Sequence, residues 1–274
     1  MNRLLATVLA AVLTLTTGCV KTPVTPSEVI STAEQITQTA ETAETPGASD
    51  EQSQQAGFTV SGTKLLDANG NEFIMRGINH PHSWFTAQDD TALEAIAATG
   101  ANTVRIVCGS GQQYTRDSVE SLNKLTDKCR ELGMIAILEV HDITGKDDAS
   151  LLETAADYWT DVKDALIGKE SYVILNIANE WVGGWDGQTW CDGYTSVIPR
   201  LRDAGIKNTI MVDAAGWGQY GQSITDFGEQ VFAADPDANT MFSVHMYGTA
   251  GKNKATIARN LKLSTDKGLC MVVG

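Results

Sequence analysis

Glu180 is the residue best placed for acid–base chemistry. It stands near the end of the segment VILNIANEW, an apolar run from Val173 that leads to Asn179 and Glu180 and then Trp181. A carboxyl partly stripped of water by an aromatic neighbour keeps its proton more readily, which suits it to protonate a leaving-group oxygen. An Asn-Glu step alone is a weak motif, and a helix-starting glutamate is its ordinary structural reading. The apolar run before it and the aromatic, glycine-rich loop after it favour the catalytic one. All four histidines, His80, His82, His141 and His245, fall at or just past the end of a strand-like run. Taken singly, each is most simply a hydrogen-bonded structural residue, the preferred reading for His82; their joint placement favours a site.

Two further patterns bear on the chemistry. The His80-Pro81-His82 spacing resembles the HxH of barrel metallohydrolases. Such centres add a bridging lysine and later ligands, whereas the fourth and fifth runs here end in Asn179-Glu180 and Val212-Asp213-Ala214-Ala215, so no metal and no organic cofactor is expected. Trp84, Trp181, Trp185, Trp190 and Trp217 lie in loops after strand-like runs or where the next helix begins, and exposed aromatic faces stack on sugar rings. A cluster of them fits a polysaccharide cleft better than a small-metabolite pocket. Core packing is the alternative for Trp190 and Trp159, and is preferred for Trp159.

These residues must be positioned by the elements around them. Strands are predicted at Phe73–Asn79, Thr103–Cys108, Ile135–His141, Val173–Asn179, Thr209–Asp213, Met241–His245 and Leu269–Val273. Helices are predicted at Thr91–Thr99, Arg116–Leu132, Ala149–Ile167, Thr189–Ala204, Asp226–Ala234 and Lys252–Lys267. Gly62 and Asn69-Gly70 mark turns of a short hairpin ahead of them. Strict alternation predicts an α/β fold with a parallel sheet and right-handed crossovers. An open doubly wound sheet would gather polar residues at one switch point. Here they sit at nearly every strand end: Asn79, His80, Arg105, His141, Asp142, Asn179, Glu180, Asp213, His245 and Tyr247. That ring predicts a (β/α)8 TIM barrel, with about seven strands and six helices in this sequence.

The chain has 274 residues, is 42% hydrophobic and carries a formal charge of −14. A phosphate backbone would be repelled, so no nucleic acid is expected, while an uncharged polymer fits well. Residues 1–18 read as an export signal, and TLTTGC resembles a lipobox that would lipidate Cys19, although Thr16 stands where leucine is usual. Residues 19–56, rich in Thr, Ser, Glu and Pro, read as a disordered linker, and 57–274 as one catalytic domain. An exported protein on the cell surface or outer membrane, touching membrane only through that anchor, is the expectation. Cys108, Cys129, Cys191 and Cys270 allow three complete pairings. Cys108 and Cys191 both lie toward the catalytic face and are the predicted disulfide.

RGINHPHSWF, ANTVRIVCGSG, ILEVHD, DYWTDVKDALIGKESYVILNIANEW, VDAAGWGQY and MFSVHMY, in this order, resemble glycoside hydrolase family five, in particular its bacterial β-mannanase branch. The resemblance covers essentially all of 57–274. It implies a monomeric, retaining endo-β-1,4-mannanase acting on mannan, glucomannan or galactomannan, with Glu180 as general acid/base. Arg105 then steadies the nucleophile and Asn179 meets the sugar 2-hydroxyl, while His141, His245 and Tyr247 line the cleft; His80, Trp84, Trp181 and Trp217 are further substrate contacts. The family's nucleophile glutamate follows a glycine at the end of strand seven, so it is expected just beyond Gly274 and the 274-residue chain is expected to be an inactive fragment. An endo-β-1,4-glucanase of the same family and a non-catalytic mannan-binding surface protein are the competing readings.

Overall fold

The computed structural model describes residues 57–274; the expected export signal, Cys19 and linker lie outside the described residues. β1 (Thr59–Ser61) and β2 (Lys64–Leu66) form an antiparallel hairpin. Gly62 turns it at φ 59°, a left-handed position that favours glycine. Seven parallel strands follow: β3 (Gly77–His80), β4 (Thr103–Cys108), β5 (Ile135–Val140), β6 (Val173–Asn176), β7 (Ile210–Asp213), β8 (Thr240–Val244) and β9 (Met271–Val273). Each pairs with the next in chain order, from β3 at one edge to β9 at the other. Between them run α1 (His82–Phe85), α2 (Asp89–Ala98), α3 (Val119–Glu131), α4 (Ala149–Asp161), α5 (Gly187–Asp203), α6 (Gly221–Ala233) and α7 (Lys254–Thr265). The result is a curled, incomplete (β/α)8 barrel. Among the described residues no helix is long and apolar enough to cross a membrane.

Each strand carries two sets of side chains because successive residues face opposite sides. On the outer face Val104, Ile106, Ala136, Leu138, Leu175, Val212 and Phe242 join the large core under the helices. The inner face is graded. Phe58 and Leu65 of the hairpin segment close one end against Ile135, Ile137, Ile174, Met211 and Met241. Two residues further along the same strands the inward positions become Glu139, Asn176, Asp213 and Ser243, all buried. The apolar floor therefore holds a polar ring at the strands' C-terminal ends.

Local chemistry sets the helix starts. Ser118 and Ser121 exchange side-chain and backbone hydrogen bonds in a capping box before α3, while Asp148 and Asp186 cap α4 and α5. α5 buries Trp190, Tyr194, Val197, Ile198 and Leu201, a stripe at three- and four-residue spacing. Several bounds differ from the sequence expectation: α4 stops at Asp161 rather than Ile167, β6 stops at Asn176 rather than Asn179, and α6 starts at Gly221 rather than Asp226. The predicted first strand pairs only from Gly77, because the Phe73 amide donates to the Leu65 carbonyl and ties that stretch to the hairpin. The short α1, opened by Pro81, is not anticipated by any periodicity.

Candidate active site

Arg105, buried on β4, is the centre of the polar ring. Its Nη2 donates to Asn176 Oδ1 at 2.6 Å, Asn179 Oδ1 at 2.9 Å and Asp213 Oδ2 at 3.1 Å, and Nη1 lies 3.5 Å from Glu139 Oε1. Burial alone would lower the guanidinium pKa, but the charges of Glu139, Asp213 and Glu180 raise it. Four oxygen acceptors around one planar cation fix the strand ends relative to one another. Arg105 Nε, Glu139 Oε2, Ser243 Oγ and His245 Nε2 are buried without a hydrogen-bond partner among the described residues.

Glu180 stands on the turn after β6 in a left-handed conformation, φ 43°. Its amide donates to Asp213 Oδ2 at 3.0 Å and its carbonyl accepts from Gly145 at 2.9 Å. Two groups converge on one oxygen: His245 Nδ1 and the Tyr247 hydroxyl each lie 2.5 Å from Oε1. Burial would lower the His245 pKa, yet the Asp213 charge and its contact, with the Glu180 hydrogen bond, raise it to about 9 against the opposing Arg105. Burial, then the bond to Glu180, raises the Tyr247 phenol, so it stays a donor at neutral pH. Asp213 moves oppositely: burial would raise its carboxyl, but His245 and Arg105 hold it well below the ordinary range. With both contacts made to Oε1, Oε2 has no hydrogen-bond partner among the described residues and is the oxygen open to a leaving group.

His141 joins this ring through Nδ1, 2.9 Å from Glu139 Oε1. Above it the exposed Trp84 ring meets His141 and Tyr114 edge-on, both at 5.1 Å. Trp217 is also exposed, at φ 57°, and lies so close over Gly145 that a β-carbon there would come 2.2 Å from its ring. Its carbonyl accepts from the Tyr247 hydroxyl at 3.2 Å. Sequence reasoning gives no role to Tyr114 or Asn176, and counts Asp213 only as a member of the polar ring. A polar residue at an inward position of an apolar strand is the signal for the last two; Tyr114 lies in a loop with no periodicity.

Three expectations are corrected. Trp181 is only 1% exposed: its ring fits into the space left by Gly193, and its Nε1 donates to the Asp148 carbonyl at 3.0 Å. It packs as a core residue, its ring turned toward α5. His80 is likewise buried, its Nε2 2.8 Å from Asp89 Oδ1; Asp89 also meets His82 Nδ1, and His82 Nε2 lies 3.0 Å from Asp117. His80 thus belongs to a hydrogen-bonded chain beneath the first loop. Finally, Cys108 and Cys191 are free and buried, as are Cys129 and Cys270. The Cys108 thiol points back to the Ile106 carbonyl, 3.5 Å away, whereas Cys191 on α5 faces α6 at Gln230 Oε1, 3.3 Å.

A parallel barrel that gathers buried charges at its strand ends around one carboxyl with a free oxygen is the frame of a barrel enzyme working by proton transfer. The chain belongs to glycosyl hydrolase family 5: the family model described as Cellulase (glycosyl hydrolase family 5) matches residues 66–274. Among curated relatives, a mannan endo-1,4-beta-mannosidase of Salipaludibacillus agaradhaerens is 54% identical over 219 residues, covering 80% of this chain and 71% of that protein. One from Cellvibrio japonicus is 42% identical over 223 residues, 80% of this chain but about half, 52%, of its own length. The mannanase catalytic domain of Streptomyces sp. SirexAA-E has a known structure that superposes with a TM-score of 0.77 at 40% identity, over 84% of this chain and 74% of that one.

Proposed function

We propose that this chain forms most of the catalytic barrel of an endo-acting β-1,4-mannanase that cleaves with retention. The observation that carries the reading is the state of Glu180: Oε1 is held by His245 and Tyr247 at 2.5 Å each while Oε2 is unengaged. In the first step Glu180 gives its proton to the leaving-group oxygen as a carboxylate elsewhere attacks the anomeric carbon; in the second it takes a proton from water. Among the described residues the carboxylates beside it, Glu139 and Asp213, have fully buried side chains, which argues against either as the attacking group. The resemblance to the family leads us to place the nucleophile outside the described residues. On that reading the 274-residue chain alone does not turn over mannan. Identity of 54% to a named mannanase supports mannan over glucan.

The test compares linear mannan with carboxymethylcellulose, following the anomer first released by NMR. Retention on mannan is expected from the enzyme extended to the length of its relatives, and no turnover from the 274-residue chain alone. Glu180→Gln in the extended enzyme deletes the proton donor but keeps the shape, so turnover of mannan should fall by about 100-fold or more while binding persists. Release of the inverted anomer, or an undiminished rate in the Glu180→Gln variant, would overturn the assignment.

We also infer from the sequence that residues 1–18 direct export, that Cys19 carries a lipid, and that 19–56 tether a monomeric barrel at the cell surface. Metabolic labelling with a radioactive fatty acid, lost in Cys19→Ser, tests the anchor.

A further inference from the structure

We propose that Asp213 is a positioning residue for proton transfer at Glu180, an inference that rests on the mannanase reading above. Its carboxylate is completely buried at the end of β7, and one oxygen, Oδ2, serves three elements at once. It accepts from Arg105 Nη2 of β4 at 3.1 Å and from the Glu180 amide at 3.0 Å, and it lies 3.4 Å from His245 Nε2 beyond β8. The other oxygen accepts from Asn176 Nδ2 at 3.3 Å, and the Asp213 carbonyl takes the Trp190 indole N–H at 2.7 Å, anchoring the residue to α5.

An ion pair with Arg105 alone would explain a buried carboxylate. It would not explain the amide of Glu180. That residue holds φ 43°, a conformation that side chains with a β-carbon rarely adopt. The Asp213 carboxylate on its N–H and the Gly145 amide on its carbonyl clamp the turn from both sides. The second lever is the His245 ring. Asp213 is the anion on its Nε2 side, so the ring keeps a proton there and presents Nδ1 to Glu180 Oε1. The charged groups facing His245 are Asp213, Glu180 and Arg105, and Asp213 outweighs the others in raising its pKa. Two tyrosines also feel the Asp213 charge: Tyr247, which contacts Glu180, and Tyr194 of α5, whose buried hydroxyl has no hydrogen-bond partner among the described residues. Asp213 touches no substrate in this arrangement. It acts through the two groups that aim and hold the proton donor.

The test is Asp213→Asn in the enzyme extended to the length of its relatives, assayed on mannan and on 2,4-dinitrophenyl β-mannoside, whose leaving group needs no proton. The expected result is a loss of kcat on mannan of about 100-fold with KM nearly unchanged, while first-turnover release of dinitrophenolate falls by less than about five-fold. The His245 imidazole, followed by NMR, should titrate at lower pH than in the wild type, because the anion that raises its pKa is gone. Equal losses on both substrates, or an unmoved His245 titration, would overturn the proposal. Should the Asn variant not fold, Asp213→Glu, which keeps the charge but displaces the oxygens, is read by the same substrate ratio. A wild-type enzyme inert on mannan would sink the mannanase reading instead, and the His245 titration in this chain would still decide the role of Asp213.

Discussion

Gly218 and His245 are built against each other: the His245 amide donates to the Gly218 carbonyl at 2.8 Å, and a β-carbon at 218 would lie 2.6 Å from the imidazole Cγ. Gly218 also has φ 69°, where glycine alone is unstrained. The ring that holds Glu180 is therefore placed by a residue without a side chain. Gly218→Ala should push the ring away from Glu180, lowering turnover of the extended enzyme by roughly tenfold, since a displaced positioning group costs at least that much. Left-handed strain should lower stability by about 1–3 kcal/mol. Kinetics on mannan and a thermal melt check both, and wild-type turnover in the variant would show that the contact does not position the ring.

How much of this is legible in the sequence follows from periodicity. β4 is legible at its observed bounds, because a short run rich in Val and Ile, too short for a helix, suits a buried strand. Glu180, Arg105 and His245 are legible as polar residues closing apolar runs. Trp181 misleads because an aromatic after a strand looks alike in sequence whether its ring faces solvent or a glycine on α5. Only packing against Gly193 decides it. The Cys108–Cys191 pairing fails for a similar reason: reaching the same end of the barrel says nothing about which way a helix residue faces. The buried chain from His80 to Asp117 spans residues 37 apart, and no spacing rule links them.

Stability should depend on pH through the two histidines whose pKa values are raised. For His82, burial would lower the value, but hydrogen bonds to Asp117 and Asp89 win and raise it; His245 is raised to about 9. A raised imidazole contributes stability that is fully present below its unfolded pKa of about 6.5 and is lost as pH climbs through the folded value. The melting temperature should thus fall between about pH 6.5 and somewhat above pH 9. Asp213 has the opposite sign, its contribution being fully present above the ordinary carboxylate range and lost progressively as pH falls below it. Calorimetric melts of the wild type and of His245→Asn across this window are the check. An identical alkaline slope in both would remove His245 from the account.

The four described cysteines should remain thiols and react slowly. Burial pushes Cys129 up to about 12 and Cys270 up to about 11, and raises Cys108 and Cys191 as well, so little thiolate exists at about pH 8. A disulfide-exchange reagent should label none of them in the native protein and all four in denaturant. Recovery of a peptide cross-linked between Cys108 and Cys191 without reductant would restore the bond that the structure lacks.

Trp84 and Trp181 give opposite outcomes for the same substitution, and so separate the cleft from the core. Trp84 is 47% exposed and meets Tyr114 and His141 edge-on at the mouth of the barrel, a face available to a sugar ring. Trp84→Ala should leave stability within about 0.5 kcal/mol, as an exposed change does. Its loss should weaken mannan-oligosaccharide binding by roughly tenfold, the scale of one aromatic contact. Trp181 is 1% exposed and fills the space over Gly193 beside Leu152, so Trp181→Ala should cost about 3–5 kcal/mol of stability. Binding by whatever fraction remains folded should be close to normal. Calorimetric binding titrations paired with denaturant melts distinguish the two. A Trp181→Ala variant that folds as well as wild type but fails to bind would return that side chain to the cleft, and with it the expectation that the structure has overturned.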